Sequence, residues 1–547
     1  MKTALINPPW THPSDPLLWG VRAGSRWPHF QRRAAPGQLP RYIPFPFFLA
    51  LAAAGAARQG HEVLLLDAVA ADLTAEACMQ KLRDFAPAFV FCETSTPSLK
   101  SDLAFLAELR RQLPSIRIAC GGTHPPSLAR EWVKTPQGPD IWIAGEYEDS
   151  VVAVIQALAE ERAIEGIRGV LSSQSKQEAL KLAVVTDLDQ LPAPLYNQLP
   201  MRAYSDPVCG LPAPVAQTWL SRGCPFGCTF CVWPQLIYGQ RQYRVRKMDT
   251  ALDEVERLIQ QYGCESFYFD DDTANMGEER MVRLAESIKQ RQLNRWPWSM
   301  MARADCMTPT MIKALAEAGL YSIKYGVESA SPKLLNACNK GTQLEKMKRA
   351  IQLTHDQGVK IHLTFTFGLP GETGDTIRET MDFLMQVKPE TAQFSICTPF
   401  PGTQYYDECK RNGWLISDDW SHYLGSADAV VETPWLSARQ LERAYAEAVQ
   451  EWNRYVGQRL TERQTRLLER LRAAIQGGGR WNFLGDRDAA RFIWDQGHAD
   501  LIPWLAPESD PGSDSVTVIV SRHDEEKLWR RRQRNNPAAA ARDIRLY

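Results

Sequence analysis

Three cysteines, Cys224, Cys228 and Cys231, stand in the stretch "SRGCPFGCTFCVWPQ" over 221–235, with three and then two residues between them. Thiolates bind soft metals, and closed structural zinc normally takes four protein ligands arranged as two separated pairs. A second pair is missing. A [4Fe-4S] cluster has four irons to coordinate, so three thiolates leave one iron open to bind and activate something else. Two other readings stand beside that one: a zinc ion completed by a remote ligand such as Cys209 or His355, and a redox motif that uses only two of the thiols. The remaining cysteines of the 12 are scattered, several inside apolar runs (Cys92 in "FVFCET", Cys120 in "IRIACGG"), which reads as reduced core thiols rather than a disulfide framework. Further on, "DDD" places three carboxylates in a row, Asp270, Asp271 and Asp272, as either a site or a surface turn.

The elements that must hold these groups come in two series. The first alternates apolar runs ("KTALIN", "HEVLLLDAV", "AFVFCETS", "SIRIACGG", "DIWIAGE") with segments of helical period, which predicts a doubly wound parallel sheet covered on both faces. Such sheets bind ligands at the carboxyl ends of their strands, here "GGTHPPS" (121–127) and "GEYEDS" (145–150). Gly121 and Gly122 either let backbone amides approach a ligand or simply make a tight turn. The second series runs "VAQTWLSRG", "SFYFDDD", "WSMMARAD", "YSIKYGVES", "KIHLTFTFGLPGE" and "AQFSICTPFPGT", with helices between. Six strands in βα register predict a partial (β/α)6 barrel whose chemistry lies at the strand carboxyl ends. The cysteine triplet lies at that end of the first strand, which favours the open cluster.

The α/β chain thus divides into a Rossmann-like domain over 1–162, a proline-rich linker over 163–214, a partial barrel over 215–425 and a helical C-terminal domain over 426–547. Its 547 residues, 44% hydrophobic and 23% charged, supply ample core. A formal net charge of −1 exerts no overall pull toward nucleic acid or an anionic membrane. The N-terminus lacks a signal-peptide pattern and no apolar run approaches the roughly 18 residues that span a bilayer, so a cytoplasmic location is expected. The basic stretch 525–547 reads as a solvated face or loose end.

"CPFGCTFC" on the first loop of a six-stranded partial barrel resembles the radical S-adenosylmethionine (SAM) superfamily. "FYFDDDT", "ARADCMTP", "IKYGVESAS", "FTFGLPGET" and "CTPFPGTQYY" are similar to the subgroup that carries an N-terminal cobalamin-binding domain, which includes radical methyltransferases and the anaerobic cyclase of bacteriochlorophyll synthesis. The resemblance covers about the first 425 residues and implies three cofactors: a [4Fe-4S] cluster on Cys224, Cys228 and Cys231, SAM, and cobalamin. It places Phe230 and Val232 beside adenine, with packing as their other reading. It places Asp270–Asp272 by SAM's amino group, Arg303 by its carboxylate unless paired with Asp305, and Glu328 by the ribose unless it caps a helix. "GLPGE" (368–372) would shape the turn beneath the adenosyl group.

In the first domain the Asp-x-His-x-x-Gly signature of an axial histidine is absent, and the resemblance implies a base-off corrinoid. Its nucleotide tail would lie near Gly121, Gly122 and Thr123, with Ser95, Thr96, Ser98, Glu146 and Tyr147 as further contacts. His124 would be a lining residue or a lower ligand. "RAGSRWPHFQRR" (22–33) and "RYIPFPF" (41–47) would face the corrin or the substrate. Tyr238, Tyr243, Tyr325 and Tyr405 would pack, or exchange a proton or hydrogen atom. The implied activity is C-methylation of an unactivated carbon through a 5′-deoxyadenosyl radical and methylcobalamin. Oxidative cyclisation or ring rearrangement with the same cofactors, and a non-catalytic corrinoid- or zinc-binding regulator, are the alternatives. The implied partners are a small-molecule or peptide substrate and a flavodoxin- or ferredoxin-type electron donor.

Overall fold

A computed structural model of the chain describes residues 1–13, 15–33, 42–176, 180–426 and 428–476. Residues 1–448 form one compact unit. The basic stretch 525–547, like the rest of the helical C-terminal domain beyond 476, lies outside the described residues.

The N-terminal layer is built on β1 (Lys2–Asn7). A small antiparallel sheet follows, β2 (Thr11–His12), β3 (Asp15–Val21) and β4 (His29–Arg32), and then β5 (Glu62–Asp67), β6 (Phe89–Thr94), β7 (Arg117–Gly122), β8 (Ile141–Ala144) and β9 (Val170–Ser172). The main sheet runs β5-β1-β6-β7-β8-β9. Its first five strands are parallel, as their unbroken apolar runs predict, and their chain order makes β1 and β6 the switch point where the winding reverses. β9 is an antiparallel edge strand drawn from the expected linker; three residues are too few to show a period. The antiparallel β2-β3-β4 sheet was likewise not read from the sequence. Helix Ala75–Phe85 starts on Thr74, whose side chain accepts from the Ala77 amide. Phe89, Val90, Phe91 and Cys92 are all fully buried, so Cys92 is a core thiol as expected.

The second layer comprises β10 (Val215–Thr218), β11 (Ser221–Arg222), β12 (Arg244–Val245), β13 (Ser266–Phe269), β14 (Trp298–Ala302), β15 (Leu320–Glu328), β16 (Lys360–Phe367) and β17 (Thr391–Ile396). The six long strands pair in parallel in chain order, β10-β13-β14-β15-β16-β17, the expected (β/α)6 arrangement. Along β15, Ile323, Tyr325 and Val327 are fully buried while Lys324, Gly326 and Glu328 are not. One face of the strand packs on the helices, and the other lines a polar lumen. Helix Met248–Tyr262 has Lys247 at its N-cap with no side-chain cap bond, and ends at Gly263 in the left-handed region (φ 67°). Helix Ala438–Gln476 begins the expected helical extension.

A six-stranded sheet leaves a seam between its edge strands, here β10 and β17. Described residues between β3 and helix Phe47–Arg58, 22–33 and 42–46, reach both edges. At β10, the Phe45 amide donates to Gln217 Oε1 at 2.8 Å and Gln217 Nε2 donates to the Ile43 carbonyl at 3.2 Å. At the other edge, Trp27 Nε1 donates to the Leu424 carbonyl at 2.7 Å, and Ile396 of β17 donates to the carbonyl of neighbouring Gly425.

Candidate active site

Residues 223–243 form a loop whose stem is the β11–β12 pair, Ser221 facing Val245 and Arg222 facing Arg244. Cys224, Cys228 and Cys231 all lie on it, and all three are half-buried. The loop has few backbone bonds of its own and is braced from outside. Gln235 Nε2 donates to the carbonyls of Cys228, Thr229 and Cys231 at 3.3, 3.1 and 2.8 Å. Asn339 Nδ2 donates to the Gly227 carbonyl at 3.0 Å, and the Thr229 amide donates to the Cys338 carbonyl.

The three carboxylates at the end of β13 divide their work. Asp271 is fully buried and accepts from the Leu220 amide at 3.0 Å and from the Ser221 hydroxyl. Asp272 accepts from the Gly223 amide at 2.8 Å and from the Tyr238 hydroxyl at 2.6 Å. Both therefore hold the chain as it enters the cysteine loop. Asp270 pairs with Arg26 at 3.1 Å, which also reaches Asp272 at 3.3 Å. Burial raises Asp271 to about 6, against the bonds from Ser221 and Leu220.

Burial pushes the Cys228 and Cys231 thiols up. Lys340 and Arg303 oppose this at Cys228, and the charges of Cys224 and Cys228 reach Cys231. Arg303, capping β14, forms the anticipated pair with Asp305, at 3.0 and 2.8 Å, and stands 3.5 Å over the Phe226 ring. Glu328, at a positive φ of 68°, pairs with buried Lys340 at 3.2 Å and accepts from Thr366 at 2.9 Å. Lys340, Gln235 and Cys306 were not singled out from the sequence. Cys306 is half-buried and within electrostatic reach of Cys224. Phe230 packs against the cluster of Leu334, Cys338, Leu369 and Tyr405. The four tyrosine hydroxyls already have partners: Asp272, Ala274, Thr354 and Gly368 for Tyr238, Tyr243, Tyr325 and Tyr405.

A cleft lies where the ends of β6, β7 and β8 meet the barrel. Ser95, Thr96, Gly122, Thr123 and Tyr147 line it, opposed by Val232, Trp233, Ile237 and Phe400. Ser98, Gly121 and Glu146 lie behind its wall. Ser98 bonds Asp102 and Arg22, Gly121 is backed by Phe91 and Ile143, and Glu146 pairs with Arg222 and Arg244. His124 is not a lining residue: its ring, 1% exposed, meets Trp132 and Trp142 edge-on and stacks on Trp420. Burial drives it to about 3, and it stays neutral. Glu93, in the cleft, was not anticipated; it accepts from the Tyr147 hydroxyl, and burial raises it to about 6.

The donors fit the implied groups. Among the described residues no three His, Cys, Asp or Glu side chains converge on one ion position. The remote zinc ligands are engaged elsewhere, Cys209 with Thr391 Oγ1 at 3.3 Å and His355 with the Val387 carbonyl at 3.1 Å. Three spaced thiols on one loop suit separate irons. Beside Cys228 stand Lys340, Arg303 and Glu328, the charges a zwitterionic amino acid needs. In the cleft, Thr96 Oγ1 is buried without a partner, and Gly122 has φ 144° with the Thr94 carbonyl where a Cβ would stand. That bare backbone and spare hydroxyl suit a large amide-rimmed cofactor.

Comparison with known proteins agrees. Residues 220–384 match the model of the radical SAM superfamily, and residues 41–155 that of the B12 binding domain. An uncharacterized methyltransferase of Pyrococcus horikoshii is 28% identical over 395 residues, 72% of this chain and 84% of the relative. An anaerobic magnesium-protoporphyrin IX monomethyl ester cyclase of Rubrivivax gelatinosus is 25% identical over 63% of each chain. Two solved structures share the fold. The radical SAM methyltransferase TsrM of Kitasatospora setae has a TM-score of 0.58 at 20% identity, covering 75% of this chain and 76% of that one. The cobalamin-dependent radical enzyme OxsB has a TM-score of 0.61 at 15% identity, covering 99% and 76%. The protein is a radical SAM enzyme whose cofactors are a [4Fe-4S] cluster, SAM and cobalamin, so the non-catalytic reading falls. With both family models matched in the one chain, the protein belongs to the cobalamin-dependent branch of the radical SAM superfamily.

Proposed function

We propose that the protein is a C-methyltransferase acting on an unactivated carbon of a small-molecule substrate. The observation that carries this reading is a shared wall: Val232, Trp233 and Ile237 follow Cys231 directly and line the corrinoid cleft. One substrate in the lumen would then have both reacting centres within reach. When bound, the cluster with SAM supplies a 5′-deoxyadenosyl radical and the corrinoid supplies a methyl group, so the protein's work is binding, orientation and exclusion. Cys224, Cys228 and Cys231 hold the cluster. Lys340, with Arg303 held beside it by Asp305, would meet SAM's carboxylate, Glu328 its ribose and Val232 the adenosyl face. Thr96, Thr123 and the Gly122 backbone hold the corrinoid. The described seam residues, Arg26 to Arg33 and Tyr42 to Phe45, keep water out of the lumen. A flavodoxin- or ferredoxin-type protein supplies the electrons. The relatives named as methyltransferases support this reading.

The test is anaerobic reconstitution with iron, sulfide and hydroxocobalamin, followed by SAM and dithionite, with both nucleoside products quantified. Wild type is expected to form 5′-deoxyadenosine together with S-adenosylhomocysteine, and Cys228→Ala to form neither. Deoxyadenosine without S-adenosylhomocysteine would instead favour the oxidative cyclisation of the Rubrivivax relative. Product from Cys228→Ala at wild-type level would remove the cluster assignment.

A further inference from the structure

A buried ion network joins the cysteine loop to the corrinoid cleft without lining either. Glu146 sits between the cleft residues Gly145 and Tyr147. It accepts from Arg222 Nη1 at 3.2 Å and from Arg244 Nη1 and Nη2 at 2.6 and 2.9 Å. Glu148 takes Arg222 Nη1 at 2.6 Å. Arg222 and Arg244 face each other across the β11–β12 stem that closes the loop holding the three cysteines. Arg222 also lies 4.6 Å from the Phe48 ring centre and 4.5 Å from that of Trp219. Glu146 and Glu148 are each 1% exposed and Arg222 is 4% exposed.

So many charges away from water tolerate one arrangement, because an ion displaced from its partner has no solvent to turn to. Glu148 Oε2, Arg222 Nη2 and Arg244 Nε lack partners among the described residues, so losing a further bond would leave these ions still less compensated. A ligand that fixes 145–147 therefore fixes Glu146. The fork from Arg244 to Glu146 then fixes the stem, and with it Gly223 and Cys224.

We infer that Glu146, Arg222 and Arg244 are positioning residues that couple the two sites, so that corrinoid in the cleft and SAM at the cysteine loop strengthen each other's binding. The ordering cost of the stem and of 145–148 is met by whichever ligand arrives first. The inference rests on the two cofactor sites and is independent of which product is formed. Trp233, whose ring stacks on Phe48 at 5.9 Å, offers a second route through the shared wall, and the variants separate the two.

The experiment uses the full chain with its cluster reconstituted and no reductant present, so that SAM binds without being cleaved. The Kd of SAM is measured with and without hydroxocobalamin, and the Kd of hydroxocobalamin with and without SAM. In the wild type both are expected to tighten by the same factor, about fivefold or more, since such coupling is reciprocal. Arg244→Gln is expected to retain its iron and both ligands but to lose the factor. A wild type with no mutual effect, or one that binds no hydroxocobalamin, overturns the proposal. So does an Arg244→Gln protein with the full factor, which would assign the coupling to the shared wall. Should Arg244→Gln lose iron, Arg244→Lys decides, because it keeps the charge and removes the fork. A diminished factor supports the network, and an undiminished one overturns it. Nucleoside products are scored separately, so a failure here leaves the methyl-transfer reading standing or falling on its own.

Discussion

At the scale of single residues, the cysteine loop is held by side chains that ligate nothing. Gln235 joins three loop carbonyls to the barrel's last turn, where its Oε1 accepts from the Gln404 amide at 2.8 Å. Gln235→Ala is expected to leave these groups short of partners, at about 1 kcal/mol for each bond lost. The result should be lower iron content after desalting. Glu372 gives a pH signature. Buried beneath the "GLPGE" turn, it accepts from the Gly368 and Leu369 amides and from Thr376, yet burial outweighs these bonds and raises it to about 7. The unfolded chain releases this proton near pH ~4.5. Between that pH and about 7 the folded state binds more protons, so stability falls as pH rises, by up to about 3 kcal/mol for this group alone. Melting temperature should drop from pH 5 to pH 7.5 in the wild type, and by less in Glu372→Gln.

At the scale of elements, the turn after β7 decides what the first sheet can hold. Gly122 sits at φ 144°, and a Cβ there would overlap the Thr94 carbonyl at the end of β6. Gly122→Val is therefore expected to spread the ends of β6 and β7, abolishing retention of hydroxocobalamin on a desalting column. Because the site lies at a strand end, the cost in stability should be a few kcal/mol rather than loss of the fold. Neighbouring Gly121 matters through packing, since Phe91 and Ile143 stand where its Cβ would be. The two glycines are adjacent in sequence, but only Gly122 faces the cleft.

At the scale of the whole molecule, the N-terminal segment completes the barrel. Arg26 crosses from the first domain to pair with Asp270 and Asp272, packs over Trp233 at 5.5 Å, and so joins the cover to the site. Arg26→Ala leaves two buried carboxylates without their cation, a change that costs about 3–5 kcal/mol when a buried pair is broken. The cover over the lumen should loosen. The expected result is several-fold faster bleaching of the reconstituted cluster in air, with initial iron content unchanged. A bleaching rate equal to wild type would show that the seam segment does not shield the cluster.

What the sequence determined by itself was local. The apolar runs and the helical periods between them required two βα series. The cysteine spacing within one loop favoured an open cluster over zinc or a redox pair, and the resemblance to the radical SAM superfamily assigned it, because loop chemistry is written in consecutive residues. Tertiary structure decided everything that depends on distant chain. Asp271 and Asp272 turned out to brace the loop, through amides about fifty residues away. Glu146 left the cleft for Arg222 and Arg244 because buried carboxylates go where cations are. Lys340 joined Glu328, and His124 vanished among tryptophans. No periodicity records such pairings, since burial and charge are settled by which surfaces meet only after the chain has folded.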